Sequence, residues 1–440
     1  MADFIPPQII YLTETLSPVL SPAWQILKYW WWLPLPFILW KPVTFLWLWR
    51  RREAWLDKQN IILLEIKMPR EILKPIRAME TVMNGLRQTI YVPPDWWEKW
   101  IDGQIQLSYS FEIVSMGGET HFYIRTPERI RDSVESIIYA QYPEVEISVA
   151  SDYTKDVPQD TPNKWDVWAA DYKLLRPDPY PIKTYMDFET EREAKEEKRI
   201  DPLAGLVEAM TKVNPGEQLW VQFIAEPITT AEIPWIKEGE KIRDELAKRN
   251  SKKPSKSMLL EAIDVLVSGA PAEKPEEKKE VLPPEMKLTG GEREVIDRIE
   301  RKIAKPGFKI NIRFVFLGRK GAFNKHNLRL PFGFFASYIT ENVNGLVPMG
   351  QTLTKIHKSW FLPINLLYNR RLYLRKRKIF RNYINRRTPF FPLSGGTFVL
   401  NVEELASLFH FPGKVPVPAP FVPRVEAKKR EAPPGLPTED

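Results

Sequence analysis

Nine basic residues within one stretch of twenty carry the most distinctive chemistry of this sequence. Between Tyr368 and Arg387 they are Arg370, Arg371, Arg375, Lys376, Arg377, Lys378, Arg381, Arg386 and Arg387, with no acid among them. Leu372, Tyr373, Leu374, Ile379, Phe380, Tyr383 and Ile384 interleave with the cations. Cations meet phosphates and rings stack on bases, so this is a nucleic-acid pattern. It is equally a membrane-surface pattern, because anionic lipid attracts each basic residue with about 1 kcal/mol. A solvated linker whose charges only keep it soluble is the third reading. A net charge of +8 and a pI near 9.2 suit acidic partners of either kind.

Other reactive groups are sparse. There is no cysteine, which excludes disulfides, thiolate metal sites and a cysteine nucleophile together. His121, His326, His357 and His410 lack metal-ligand spacing and read as ordinary surface or packing residues. The phosphate-loop pattern G-x-x-x-x-G-K-[ST] is missing, and the glycine turns at 318–321 and 394–397 lack its strand–loop–helix lysine context. G-x-S-x-G, H-E-x-x-H and G-x-G-x-x-G are missing too. No pair of carboxylates stands out from charged surface. The expectation is a chain that is not an enzyme and holds no cofactor or metal.

The elements that would position a basic surface begin with an apolar run. From Tyr29 to Trp49, 21 residues carry one charge, Lys41, and Arg50, Arg51 and Arg52 close the run. A bilayer core of ~30 Å needs about 20 apolar residues to cross as a helix. Trp30, Trp31, Trp32, Phe37, Trp40, Phe45, Trp47 and Trp49 would supply aromatic belts ahead of a basic stop. The expectation is a transmembrane anchor over 24–52, with 1–23 outside and the bulk of the chain cytoplasmic. Pro34, Pro36 and Pro42 each remove a helix hydrogen bond, so an interfacial or re-entrant segment is the alternative.

Past the anchor, residues 60–155 read strand, helix, strand, strand, helix, strand, with Gly117-Gly118 as the hairpin signal. Trp96, Trp97 and Trp100 are expected to pack on that sheet. Residues 160–345 repeat the theme. Asp201-Pro202 opens one helix, and Thr289 with Glu292 forms a capping box for another. A lysine-, glutamate- and proline-rich insertion over about 249–287 cannot bury a core. The basic and aromatic segment with a closing strand and helix fills 346–411, and a Pro-rich tail fills 412–440. The predicted class is α+β, an N-terminal transmembrane helix followed by two ferredoxin-like units.

Several segments carry a resemblance. They are Leu63 to Glu71 with Ala78-Met79-Glu80, Gln141 to Ile147, Leu288-Thr289 with Glu292, Lys302 to Phe308, Arg313 to Phe316, and Asn401 to Pro412. Together they resemble a membrane-anchored domain of candidate phyla radiation bacteria that precedes a HerA-like or type IV secretion-type ATPase domain. The resemblance spans roughly 24–437 and includes no catalytic motif. It implies a scaffold at the bacterial inner membrane, in a conjugation-like system moving DNA or protein, that docks a separate ATPase. It also implies a homo-oligomer. The other reading is a membrane-tethered nucleic-acid-binding protein that uses 368–387.

Overall fold

The computed structural model describes residues 28–29, 35–69, 72, 74–158, 162–188, 201–229, 231–247, 288–321, 329–356, 367–386, 396–413 and 424–425. Trp30, Trp31, Trp32, Arg387, the insertion at 249–287 and most of the Pro-rich tail lie outside them. Two compact units result, Met1–Asn60 with Pro93–Gln106, and Ile61–Val92 with Leu107–Asp440.

The larger unit is organised by one ten-stranded sheet. Its strands are β1 (Ile61–Pro69), β2 (Tyr109–Met116), β3 (Glu119–Pro127), β4 (Glu146–Ala150), β5 (Trp165–Leu174), β6 (Glu217–Pro227), β7 (Gly307–Arg319), β8 (Leu346–Pro348), β9 (Phe398–Asn401) and β10 (Arg424–Val425). They follow the order β10-β1-β3-β2-β6-β7-β5-β8, with β4 on β1 and β9 on β7. Pairing is antiparallel except at the two-residue contact of β10 with β1.

This sheet overturns the expectation of two ferredoxin-like units behind a membrane helix. β2 pairs along its whole length with β6, from Tyr109↔Ala225 to Met116↔Gln218, so strands of both expected units share one ladder. The physical reason lies in the edges. An unpaired β2 or β6 would leave a row of backbone donors and acceptors open, and mutual pairing closes both. Local patterning sets the order of elements along the chain. It does not say which edges meet.

Nine helices are described: α1 (Leu35–Leu56), α2 (Ile76–Ile90), α3 (Arg131–Gln141), α4 (Ala204–Thr211), α5 (Trp235–Leu246), α6 (Gly290–Ile303), α7 (Leu330–Ala336), α8 (Tyr368–Asn385) and α9 (Val402–Leu408). Thr289 and Glu292 make the capping box of α6, and Asn401 with Glu404 makes another at α9. Both sheet faces are covered. On one, Phe409 beyond α9 reaches the rings of Phe111 at 5.0 Å and Phe223 at 6.3 Å. On the other, Val114, Tyr123, Trp165, Trp220 and Val315 cluster with Ile379, Phe380 and Tyr383 of α8. Coverage on both sides explains why β2 and β7 are buried almost end to end.

The smaller unit corrects the anchor. Among the described residues no helix is long and apolar enough to cross a membrane, which overturns both the transmembrane helix and the single-pass localisation. α1 runs unbroken through Lys41, Pro42, Arg50, Arg51, Arg52 and Glu53, so its charges lie inside the helix instead of ending it. Tryptophan also brings an indole N–H at each position, which makes the run less hydrocarbon-like than its ring content suggests. Phe37, Trp40, Trp47, Trp49, Arg50 and Arg51 are exposed, whereas Phe45 and Arg52 are half-buried.

Within this unit the Trp47 indole donates to the Trp100 carbonyl at 2.9 Å, and the Arg51 guanidinium lies 4.6 Å from the Trp47 ring centre. Gly103 has φ +75°, and a Cβ there would fall 2.4 Å from the Arg51 carbonyl carbon. Only glycine fits that approach. Trp96 and Trp97 are 69% and 61% exposed, contrary to the packing expected of them.

Candidate functional site

The basic stretch forms α8 up to Asn385, and the helix sorts its cations into two sets. It contains no proline or glycine, and leucine, arginine and lysine are good helix formers. Its like charges at i,i+4, Arg371 with Arg375 and Arg377 with Arg381, oppose helix formation by about 0.2–0.5 kcal/mol each. Tertiary packing offsets that. Ile379, Phe380 and Tyr383 are buried on the sheet, and each large apolar side chain contributes about 1.5–3 kcal/mol. The Trp220 ring sits between them, 5.1 Å from Tyr383 and 6.3 Å from Phe380.

Three of the nine cations are committed inward. Arg375 donates to the carbonyls of Leu353 at 2.8 Å, Gly350 at 3.2 Å and Lys355 at 3.3 Å, tying down the preceding loop. Burial, aided by the charge of Arg371, holds its pKa below the ordinary arginine value. Lys376 pairs with Asp166 on β5. Arg386 closes the helix in the left-handed region at φ 48°, the one non-glycine residue to do so among the described residues.

Arg386 is the hub of a buried polar network. It meets Glu112 of β2 at 2.7 and 3.2 Å and Asp152 at 2.7 and 2.9 Å. Glu112 also accepts from Ser110 and from the Tyr153 hydroxyl, both at 2.6 Å, and from the Gln222 amide at 3.0 Å. The Tyr153 and Tyr383 hydroxyls are 2.7 Å apart. With Tyr153 donating to Glu112, Tyr383 is the donor to Tyr153. Beside them Arg313 of β7 pairs with Asp171 at 3.1 Å and donates to the Asn382 carbonyl of α8.

The charges in this network settle their protonation states. Burial pushes Glu112 up, but the Arg386 guanidinium outweighs it and holds the carboxyl below its usual range. Asp152 obeys the same balance and falls to about 2. Asp171 goes the other way, because desolvation exceeds the pull of Arg313. Burial beside Glu112 raises both Tyr153 and Tyr383 well above the ordinary tyrosine value. The network fixes the C-terminal end of α8 to β2 and β7. It is a mount.

Arg387 lies outside the described residues, and the other five face out. Arg370, Arg371, Arg377, Lys378 and Arg381 are exposed, and none makes an ion pair among the described residues. At 3.6 residues per turn they occupy one arc of about 120°. Leu374, 50% exposed, is the one large apolar side chain of the helix on that arc, and the N-cap Leu367, 54% exposed, continues it. The arrangement can hold a polyanion by charge.

Other polar clusters close on themselves. Lys302 and Glu404 pair at 3.1 Å with both side chains fully buried, while Lys305 meets Glu80 at 2.6 Å and Glu403 at 2.7 Å. A cavity of about 500 Å³ near Lys183 and Ile339 is bordered by Arg298, which is held by Asp187 and Glu294, each at 2.9 Å. His121 pairs with Glu65 at 2.7 Å and His410 with Asp201 at 2.9 Å; His326 and His357 lie outside the described residues.

Sequence reasoning treated the nine cations as one surface and missed the acids that claim Lys376 and Arg386 and the loop carbonyls that claim Arg375. The signal was in the strands. Ser110 and Glu112, Gln222, Arg313 and Asp171 sit at alternating positions, as if on a solvated face, and α8 covers that face.

The family described as Domain of unknown function (DUF8128) matches residues 96–415, most of the chain and all of α8, and the chain belongs to it. Among curated proteins none matches the sequence significantly.

Proposed function

We propose that this member of the DUF8128 family binds nucleic acid, and that the outer face of α8 is the contact surface. The observation that carries the reading is the division of charge on one helix. Arg375, Lys376 and Arg386 are consumed by the fold, while five cations stand unpaired on one arc. An anionic bilayer would attract the same charges. An interfacial helix, however, sets large apolar side chains into the lipid beside its cations. On the outer side of α8 only Leu374 and the capping Leu367 are exposed apolar side chains among the described residues, and Phe380 and Tyr383 face the sheet. That favours a phosphate backbone over a lipid surface.

The test is binding of the full chain to mixed-sequence nucleic acid, followed by fluorescence anisotropy at low salt. Replacing Arg370, Arg371, Arg377, Lys378 and Arg381 together with glutamine should weaken binding at least about 100-fold, since each lost phosphate contact also removes released counterions. Unchanged affinity in a variant with a native unfolding midpoint contradicts the reading.

A second reading, assembly with a separate protein such as a translocation ATPase, draws on α1. Phe37 and Trp40 are 81% and 68% exposed, and apolar surface of this kind marks partner contacts. Trp40→Ser with Trp96→Ser should then release a co-purifying partner. Retention of that partner removes this reading.

A further inference from the structure

We infer that the nucleic acid held by α8 is double-stranded and is gripped through its phosphates. This rests on the proposed function and narrows its ligand. Single-strand binders add stacking platforms to a basic groove, because unpaired bases offer their faces to aromatic rings. On α8 the rings point the wrong way for that. Phe380 and Tyr383 are buried against Trp220, and Tyr368 and Tyr373 are half-buried. Trp165, next to Lys376 through Asp166, is buried on the same sheet face, and its ring is covered by Arg319 at 5.8 Å. Among the described residues no ring on the outer arc is left for a base.

The spacing of the cations suits a rigid polyanion. Arg370 and Arg381 are eleven positions apart, which at 1.5 Å per residue is about 16 Å of helix. A duplex carries one charge per ~1.7 Å of its axis, counting both strands, so about nine or ten phosphate charges lie alongside that length. The array is also stiff. Arg375 and Lys376 fasten the middle of the helix, and Arg386 fastens its end. A fixed array loses little freedom on meeting a stiff rod, whereas a flexible strand must be ordered to match it. Contacts to phosphates alone carry no sequence information, so such an array holds duplexes of different sequence alike.

The experiment titrates the full chain with a mixed-sequence DNA duplex, its separated strand, the same-length RNA duplex and an A·T-only DNA duplex, across a range of salt. The expected result is duplex binding at least about tenfold tighter than single-strand binding, with similar values for DNA, RNA and A·T-only duplexes. The slope of log K against log salt should be no steeper than about −4.5, from five contacts at ~0.9 each. Equal or tighter single-strand binding overturns the duplex inference and leaves the proposed function standing. A steeper slope, or a strong preference among duplexes, overturns phosphate-only grip by α8. Loss of all binding, or binding untouched by the five-glutamine variant, removes the proposed function and this inference together.

Discussion

Helices α1 and α8 look alike in composition and behave differently in the fold. Both mix aromatic and basic residues. α1 has 22 residues and buries none, whereas α8 has 18 and buries Ile379, Phe380 and Tyr383. The difference is periodicity. In α8 apolar residues recur on one side and cations on the other, so one face can be covered while the other stays charged. In α1 apolar rings surround the axis and the charges sit at Lys41 and Arg50–Arg52, so no face is set apart. Composition suggested two surfaces. Periodicity separates a mounted one from an uncovered one.

The largest effect should come from the mount. Arg386→Ala leaves Glu112 buried without its cation, and breaking such a pair costs about 3–5 kcal/mol. Chemical denaturation should show that loss, and a change under about 1 kcal/mol would mean the network does not hold α8. The outer face should show the opposite division. Arg377→Glu with Lys378→Glu should leave the unfolding midpoint nearly unmoved, since surface changes stay within about 0.5 kcal/mol. The same pair should flatten the salt dependence of binding by about two units of slope. Destabilisation as large as that of Arg386→Ala would erase the distinction between the faces.

Acid should weaken the mount in a defined window. Asp152 has a folded pKa of about 2 against an ordinary value of 3.8, so its stabilisation is present above the ordinary value and fades as pH falls toward about 2. Glu112 is also depressed and acts in the same direction. Asp171 is raised, so its contribution is present at low pH and is lost as pH rises through its folded value. Asp152→Asn should therefore lower stability near neutrality and shrink the loss between about pH 4 and about pH 2. An acid limb that keeps its full size would assign the sensitivity to other carboxylates. The smallest effect belongs to α1. Trp47→Phe removes one hydrogen bond to Trp100 and should cost about 0.5–1.5 kcal/mol locally, seen as faster amide exchange over 93–106.

Much of the local structure was legible. The strand–helix order over 61–150 and the capping box at Thr289 follow from period, turn chemistry and cap residues. The β2–β6 pairing was not, because edge choice depends on contacts across more than a hundred residues and leaves no mark in a local window. The site was half legible. The run at 368–387 stands out in the sequence, but its division into inward and outward cations depends on Glu112, Asp152 and Asp166, each an ordinary acid in its own strand or turn, and on the loop carbonyls that hold Arg375. The anchor was misread because ring content was taken for hydrocarbon character, and Lys41 and Arg50–Arg52 were set against a span instead of within a helix.

Covalent footprinting of lysine and arginine side chains on the full chain, with and without a DNA duplex, tests the central claim most directly. The account predicts that Lys378, Arg377 and Arg381 become protected, that Lys376 stays unreactive in both states, and that Lys41 and Arg50 of α1 do not change. Protection of Lys41 and Arg50 with the outer residues of α8 still reactive would contradict it.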